Sequence, residues 1–301
     1  MKVAFVGASG YGNVGDDTYP ILWKRFLPNV EVCIYNSDRP QDGLDSDTDL
    51  VVFGGGGLMW YHEGDAHFEY MSYYSEEAKR LGIPCGFVSC DFQFIRCKSN
   101  RAEFETEGTM EKWLPLLRDA KFIVLRSRHS VALLKAEGIS AEYAPDLAYL
   151  LRPGDTLKSR NTITVIAAGG VAAKSPNVFQ DIKQAQEKWP NARLIFLNMG
   201  GPGDDKYTSR MHSEFPGSTA LFSDQVDPVK ALDLIGRSHI VFSGRYHGMV
   251  FARNCGTPCR TYPMAQYKIT VDPPEDEAGN PWRNILILSR EIDSLCQSNP
   301  A

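Results

Sequence analysis

Arg245 and His247 stand two residues apart in Ser243-Gly-Arg-Tyr-His-Gly-Met-Val-Phe-Ala252, which is followed by Gly256-Thr-Pro258. Arginine is a permanent cation with a fork of donors, and histidine exchanges a proton near neutral pH, so the pair suits chemistry on an anionic substrate. The apolar run from His239 to Phe242 predicts a buried strand, and His247 to Asn254 has the spacing of a helix. The pair is therefore expected where a strand hands over to a helix. A salt-bridging or capping pair on a βα turn would use the same two residues, so their company has to decide between the readings.

That company is set by the elements on either side. Val3 to Val6, Val32 to Tyr35, Leu50 to Phe53, Cys85 to Ser89 and Phe122 to Leu125 read as strands. Asp16 to Phe26, Phe68 to Leu81, Met110 to Arg118 and Ser130 to Glu137 read as helices. Turn formers and charges from Arg152 to Asn161 mark a linker, after which Thr162 to Ala168 begins a second strand and helix series. In that series Asp227 and Pro228 form an N-cap and first-turn pair. Alternation of this kind predicts an α/β fold with parallel sheets covered by helices, in two Rossmann-like domains, 1–155 and 156–301, facing a cleft lined by strand-end loops.

Composition narrows the function. The chain has 301 residues, 43% of them apolar, which is enough for a substantial core rather than disorder. A net charge of −5 without long basic runs argues against a sequence-independent nucleic-acid binder. With no spanning apolar run and no export signal read at its start, the expected location is cytoplasmic. Seven cysteines without a C-x-x-C pair are expected to be reduced thiols. No metal is expected, the cluster Tyr61-His-Glu-Gly-Asp-Ala-His67 lacking ligand spacing.

Several strand-end loops offer ligand contacts. Gly10, Gly12 and Gly15 have the G-x-G-x-x-G spacing of a dinucleotide site, but a helix beginning Asp16-Asp17 would repel a pyrophosphate. The expected roles of that loop are close approach by glycine and hydroxyl contacts from Asn13 and Asp16, beside the plainer reading of a tight turn. Gly54 to Gly57 is expected as a loop after its strand, a nest of amides for an anion or sugar oxygens, with Gly55 and Gly56 central. Asp91 follows another strand as a hydroxyl acceptor or a turn former. Arg126 opens Leu125-Arg-Ser-Arg-His-Ser130, with Ser127 or Ser130 as the helix cap. Asn198-Met-Gly-Gly-Pro-Gly-Asp204 could wrap a ligand through Gly200 and Gly201, and Lys268 lies downstream of the Arg/His stretch.

Taken in order, Gly10-Tyr-Gly-Asn-Val-Gly-Asp-Asp17, Asp49-Leu-Val-Val-Phe-Gly-Gly-Gly-Gly-Leu58, Leu125-Arg-Ser-Arg-His-Ser130, Ala144-Pro-Asp146 and Ser243 to Ala252 resemble the polysaccharide pyruvyl transferase family over nearly the whole chain. The resemblance implies a GT-B-like fold and transfer of pyruvate from phosphoenolpyruvate to a sugar as a cyclic ketal. Arg245 and His247 fall on the family's R-x-H positions and Lys268 on a downstream lysine. Ser127 stands where the family typically has Asp.

The resemblance implies His247 and Arg245 as the catalytic pair, with Lys268 on the donor side; Arg126, Ser243, Gly200 and Gly201, at strand-end loops, are assigned to that side as well. Gly12, Asn13, Asp16, Gly55, Gly56 and Asp91 are assigned to the acceptor side, in the N-terminal domain. No cofactor is required, phosphoenolpyruvate being the donor substrate, and the expected partners are that small anion and a sugar acceptor. Two alternatives remain: a GT-B-like glycosyltransferase using a nucleotide sugar, and a non-catalytic sugar- or anion-binding protein.

Overall fold

The computed structural model describes residues 1–36, 43–59, 66–92, 95–98, 101–104, 107–154, 159–168, 176–262 and 280–298. In chain order the strands are β1 (Lys2–Gly7), β2 (Glu31–Asn36), β3 (Leu50–Met59), β4 (Cys85–Phe92), β5 (Ile95–Lys98), β6 (Arg101–Phe104), β7 (Phe122–Leu125), β8 (Glu142–Tyr143), β9 (Thr162–Ile166), β10 (Arg193–Leu197), β11 (Thr219–Leu221), β12 (Ser238–Ser243) and β13 (Cys259–Thr261). The helices are α1 (Thr18–Phe26), α2 (Ala66–Leu81), α3 (Glu107–Asp119), α4 (Arg128–Ala136), α5 (Pro176–Lys188), α6 (Asp205–Ser213), α7 (Pro228–Gly236), α8 (Tyr246–Asn254) and α9 (Trp282–Ser298).

The chain forms two compact units, and the division is not a single cut in the sequence. Unit 1 takes Met1–Tyr11, Tyr19–Leu147 and Pro274–Ala301, and unit 2 takes Gly12–Thr18 and Ala148–Pro273. Unit 1 holds a six-stranded sheet in the order β2-β1-β3-β4-β7-β8, and unit 2 a five-stranded sheet in the order β11-β10-β9-β12-β13. Every neighbouring pair in both sheets is parallel. These are the Rossmann-like α/β units expected from the alternation of apolar runs and helical spacing. Strands buried on both faces read as continuous apolar runs, as Leu-Val-Val-Phe in β3 and Phe-Ile-Val-Leu in β7 do.

In unit 1 the α1 face carrying Tyr19, Leu22 and Trp23 is buried, with Trp23 stacked on Phe5 of β1 at 4.7 Å between centroids. Phe53 and Phe87 pack side by side from adjacent strands, and each such buried ring contributes about 2–3 kcal/mol. In unit 2, Val178, Ile182 and Ala185 turn one stripe of α5 onto the core with Phe196 and Phe242. Asp227 caps α7 by accepting from the Lys230 amide at 2.8 Å, with Pro228 in the first turn.

Three expectations change. The run Gly54 to Gly57 is not a loop: β3 continues through it to Met59, pairing Gly54 with Val88 and Gly56 with Cys90. A side chain on Gly54 would overlap the Val88 carbonyl, and one on Gly7 the Gly54 carbonyl, so glycine here lets three parallel strands close up. The first helix begins at Thr18, leaving Asp16 and Asp17 in the preceding turn rather than in its first turn. The strand over Thr162 to Ala168 ends at Ile166. Among the described residues no helix is long and apolar enough to cross a membrane.

Candidate functional site

In both all-parallel sheets the order in which strands are added reverses near the middle, between β1 and β3 in unit 1 and between β9 and β12 in unit 2. In open parallel sheets the carboxyl ends of such strands are where ligands bind. In unit 2 that place is occupied by the residues following β12 and β10.

Arg245 is the N-cap residue of α8, in extended backbone, and an arginine side chain offers this helix start no acceptor. Its entry is shaped by Ser243, whose hydroxyl accepts from the Arg245 amide at 3.2 Å and donates to the Arg245 carbonyl at 2.7 Å. Gly244 and Gly248 keep the turn tight, because a side chain on Gly248 would overlap the Ser243 hydroxyl. Ser243 is fully buried, which makes it a shaper of the turn rather than a ligand contact.

The Arg245 guanidinium meets Asp204, with Nε 2.7 Å and Nη2 2.6 Å from the same oxygen. Asp204 is buried while Arg245 remains about one-third exposed, at 31%. The guanidinium crosses Gly200, where a Cβ would overlap both the arginine and Asp204. The loop beneath is built by Asn198, which accepts from the Gly200 amide at 2.8 Å and donates to the Gly201 carbonyl at 2.8 Å. Gly201 has φ +83°, a conformation suited to glycine.

His247, in the first turn of α8, lies over Gly15, with Nδ1 4.0 Å from the Asp16 carboxylate and both side chains largely buried. Asn13 organises this segment: its Oδ1 accepts from the Gly15 amide at 3.1 Å and its Nδ2 donates to Asp16 at 2.6 Å. Both ends of the Asn13 amide are thus used within the turn. Gly12, at φ +89°, comes close to Pro202 and Gly201. The loop Gly12–Thr18, assigned by sequence to the N-terminal domain, belongs to unit 2 and stands beside His247.

The remaining named residues form a second group, in unit 1. Arg126 donates to Asp146 at 2.6 Å, and both side chains are buried. Tyr19 donates to the same carboxylate at 2.9 and 3.0 Å, and its hydroxyl accepts from the Gly56 amide at 3.0 Å. Gly55 and Gly56 both have positive φ, and a side chain on Gly55 would overlap the Tyr19 ring. The Gly56 amide expected to hold a ligand is engaged by Tyr19, and the arginine expected on a donor is engaged by Asp146.

Asp91 accepts from the Ser130 hydroxyl and from the Phe92 amide. Ser127 is the cap of α4, accepting from the Ser130 amide at 3.3 Å, a task a serine shares with the aspartate it stands in for. Cys90 donates to the Phe53 carbonyl at 3.3 Å, and burial pushes its thiol up to about 12, which removes it as a nucleophile at neutral pH. Cys85, Cys90 and Cys255 are buried free thiols.

Lys268 lies outside the described residues, as do positions 61–65 of the Tyr61–His67 cluster. The structure thus gathers Arg245, His247, Ser243, Gly200, Gly201, Gly12, Asn13 and Asp16 in unit 2, and holds Arg126, Gly55, Gly56 and Asp91 in unit 1. Sequence reasoning missed Asp204, Asp146 and Tyr19 as partners of these groups. Asp204 and Asp146 sit inside the motifs already quoted, but nothing in their spacing says which arginine each one meets.

No curated protein sequence matches the chain. Solved structures match over nearly its whole length. A candidate UDP-N-acetylglucosamine 2-epimerase from Listeria monocytogenes is 12% identical with a TM-score of 0.56, covering 97% of this chain and 88% of its own. The UDP-GlcNAc 2-epimerase of Methanocaldococcus jannaschii, in complex with UDP-GlcNAc and UDP, is 11% identical with a TM-score of 0.54, covering 97% and 92%. The enzyme from Neisseria meningitidis, bound to UDP-GlcNAc, is 14% identical with a TM-score of 0.51, covering 98% and 92%. At these identities the likeness speaks for the fold alone, two Rossmann-like units of GT-B-like type. The family model described as polysaccharide pyruvyl transferase matches residues 13–263.

Proposed function

Because the chain belongs to the polysaccharide pyruvyl transferase family, we propose that it moves a pyruvyl group from phosphoenolpyruvate to two hydroxyls of a sugar or polysaccharide precursor. The observation that carries this reading is the Arg245/His247 pair at the start of α8, an aimed cation beside an imidazole.

In this reading the donor anion sits at the positive end of α8, against the exposed part of Arg245. His247 delivers a proton to the methylene carbon, forming a C–H bond, while one sugar hydroxyl forms a C–O bond to the adjacent carbon. The bond from that carbon to the phosphate oxygen then breaks, and its electron pair leaves with inorganic phosphate. A second hydroxyl adds to the same carbon and closes the ketal. The two hydroxyl protons balance the account, one restoring His247 and one leaving with phosphate or solvent.

The Asp16 carboxylate, 4.0 Å from Nδ1, faces the His247 ring on the side of the Asn13–Asp17 turn. The residues of unit 1 enter as scaffold, with Asp146, Arg126 and Tyr19 holding Gly56 in place. Lys268 remains a proposed donor contact on family resemblance.

The decisive experiment incubates the protein with phosphoenolpyruvate and a panel of sugar acceptors, reading phosphate release together with acceptor mass. Acceptor-dependent phosphate release with a pyruvyl mass gain is expected. The likeness to epimerases that bind UDP-GlcNAc supports a second reading, a glycosyltransferase in which Arg245 holds a diphosphate. A glycosyl gain from a nucleotide sugar, with phosphoenolpyruvate inert, would establish it instead.

A further inference from the structure

Asp204 occupies the N-cap position of α6, where an aspartate ordinarily accepts from the helix amides, yet its side chain makes no capping bond. The carboxylate is turned onto Arg245 instead, one oxygen taking Nε and Nη2 at 2.7 and 2.6 Å. It is buried, at 3% side-chain exposure, whereas the arginine it holds is 31% exposed. The contact therefore closes the inner, Nε edge of the guanidinium. Among the described residues no hydrogen bond reaches Nη1, so the Nη1/Nη2 edge, the one that forks onto a carboxylate or phosphate, is left to a ligand.

The surroundings make this geometry specific. Gly200 has no side chain because the guanidinium and Asp204 fill the space a Cβ would need. Asn198 pins the loop from both ends of its amide, and the Asp204 amide donates to the Gly201 carbonyl at 3.0 Å. A flexible arginine would lose rotamer freedom on meeting an anion, and a guanidinium already held on one edge loses less. We infer that Asp204, supported by Gly200, is a positioning residue that aims the outer edge of Arg245 at the donor anion. The inference rests on the functional reading above for the identity of that anion, and on the geometry alone for the contact.

Two substitutions disturb the contact by different routes. Asp204→Asn keeps the shape and removes the charge, and Gly200→Ala forces the guanidinium aside. In calorimetric titration with phosphoenolpyruvate each is expected to weaken binding about tenfold or more, while turnover at saturating donor stays within about threefold of wild type. A merely structural role would not produce that split. A second readout needs no substrate: in NMR spectra of isotope-labelled protein, the Arg245 Nε–H signal, identified by its loss in Arg245→Lys, is expected to be protected from exchange in wild type and unprotected in Asp204→Asn.

Equal or tighter phosphoenolpyruvate binding by Asp204→Asn would mean that Asp204 masks the arginine and would overturn the proposal, as would an Nε–H that stays protected. If wild type binds UDP-GlcNAc and not phosphoenolpyruvate, the functional reading fails, and the same comparison made with UDP-GlcNAc decides the role of Asp204. A wild type that binds neither overturns both.

Discussion

Gly15 and the imidazole of His247 share one space: a Cβ on Gly15 would overlap Nδ1, Cγ and Cβ of the histidine. Because the overlap reaches the base of the ring, rotation about the side chain cannot relieve it, and either the ring or the Asn13–Asp17 turn must move. Gly15→Ala is expected to cost about 1–3 kcal/mol of stability, as overpacking does, and to lower turnover by displacing His247. Thermal melting alongside phosphate release checks both. A fully active Gly15→Ala enzyme would show that His247 need not sit where it does.

His247→Ala removes the proposed acid while leaving a space the turn can tolerate. Turnover with phosphoenolpyruvate is expected to fall by about 10²–10⁴-fold, the usual worth of a positioned proton donor, with donor binding little changed. Arg245→Ala is expected to do the opposite first, raising the dissociation constant for phosphoenolpyruvate. Measuring binding and single-turnover rates on both variants separates the two roles.

The Tyr19 hydroxyl bridges the Gly56 amide and the Asp146 carboxylate inside unit 1. Tyr19→Phe leaves a buried amide without that partner and is expected to destabilise by about 1–3 kcal/mol. Asp146→Ala is expected to cost more, about 3–5 kcal/mol, because Arg126 then keeps a buried charge without its carboxylate. Urea unfolding of the two variants tests the order, and equal losses would contradict it.

Two glycines with positive φ provide a matched comparison. Gly55 has φ +90° and no room for a side chain beside Tyr19, whereas Gly82 has φ +71° and open space around it. Gly82→Ala is expected to cost only the left-handed backbone preference, about 1–2 kcal/mol. Gly55→Ala carries the overlap with the Tyr19 ring in addition. Soluble yield and melting temperature should rank them accordingly.

Alkaline pH offers a fifth test. Desolvation raises the Cys90 thiol from 9.0 to about 12, so the folded protein keeps this proton where the unfolded chain loses it. The unfolded state then binds fewer protons, and stability, level below pH 9 as far as this group is concerned, falls as pH rises from about 9 towards 12 at up to about 1.4 kcal/mol per pH unit. Cys90→Ala should flatten that decline when unfolding free energies are measured across the interval.

The alternation of apolar runs and helical spacing determined much of this protein by itself: two parallel α/β units, the cap and proline that start α7, and the strand-to-helix handover that presents Arg245 and His247. These are local matters, decided by side-chain periodicity and by backbone groups a few residues apart. Gly54 to Gly57 was legible as a place of close approach but not as a strand, because what demands glycine there is the neighbouring strand's carbonyl and the Tyr19 ring. Only the tertiary structure decided that Gly12–Thr18 belongs with unit 2, that Asp204 holds Arg245, and that Arg126 is bound to Asp146. An ion pair between residues 20 or 41 positions apart leaves no periodic trace in a sequence. Carboxylates carry the same label wherever they stand, and it is packing that selects which guanidinium each one meets.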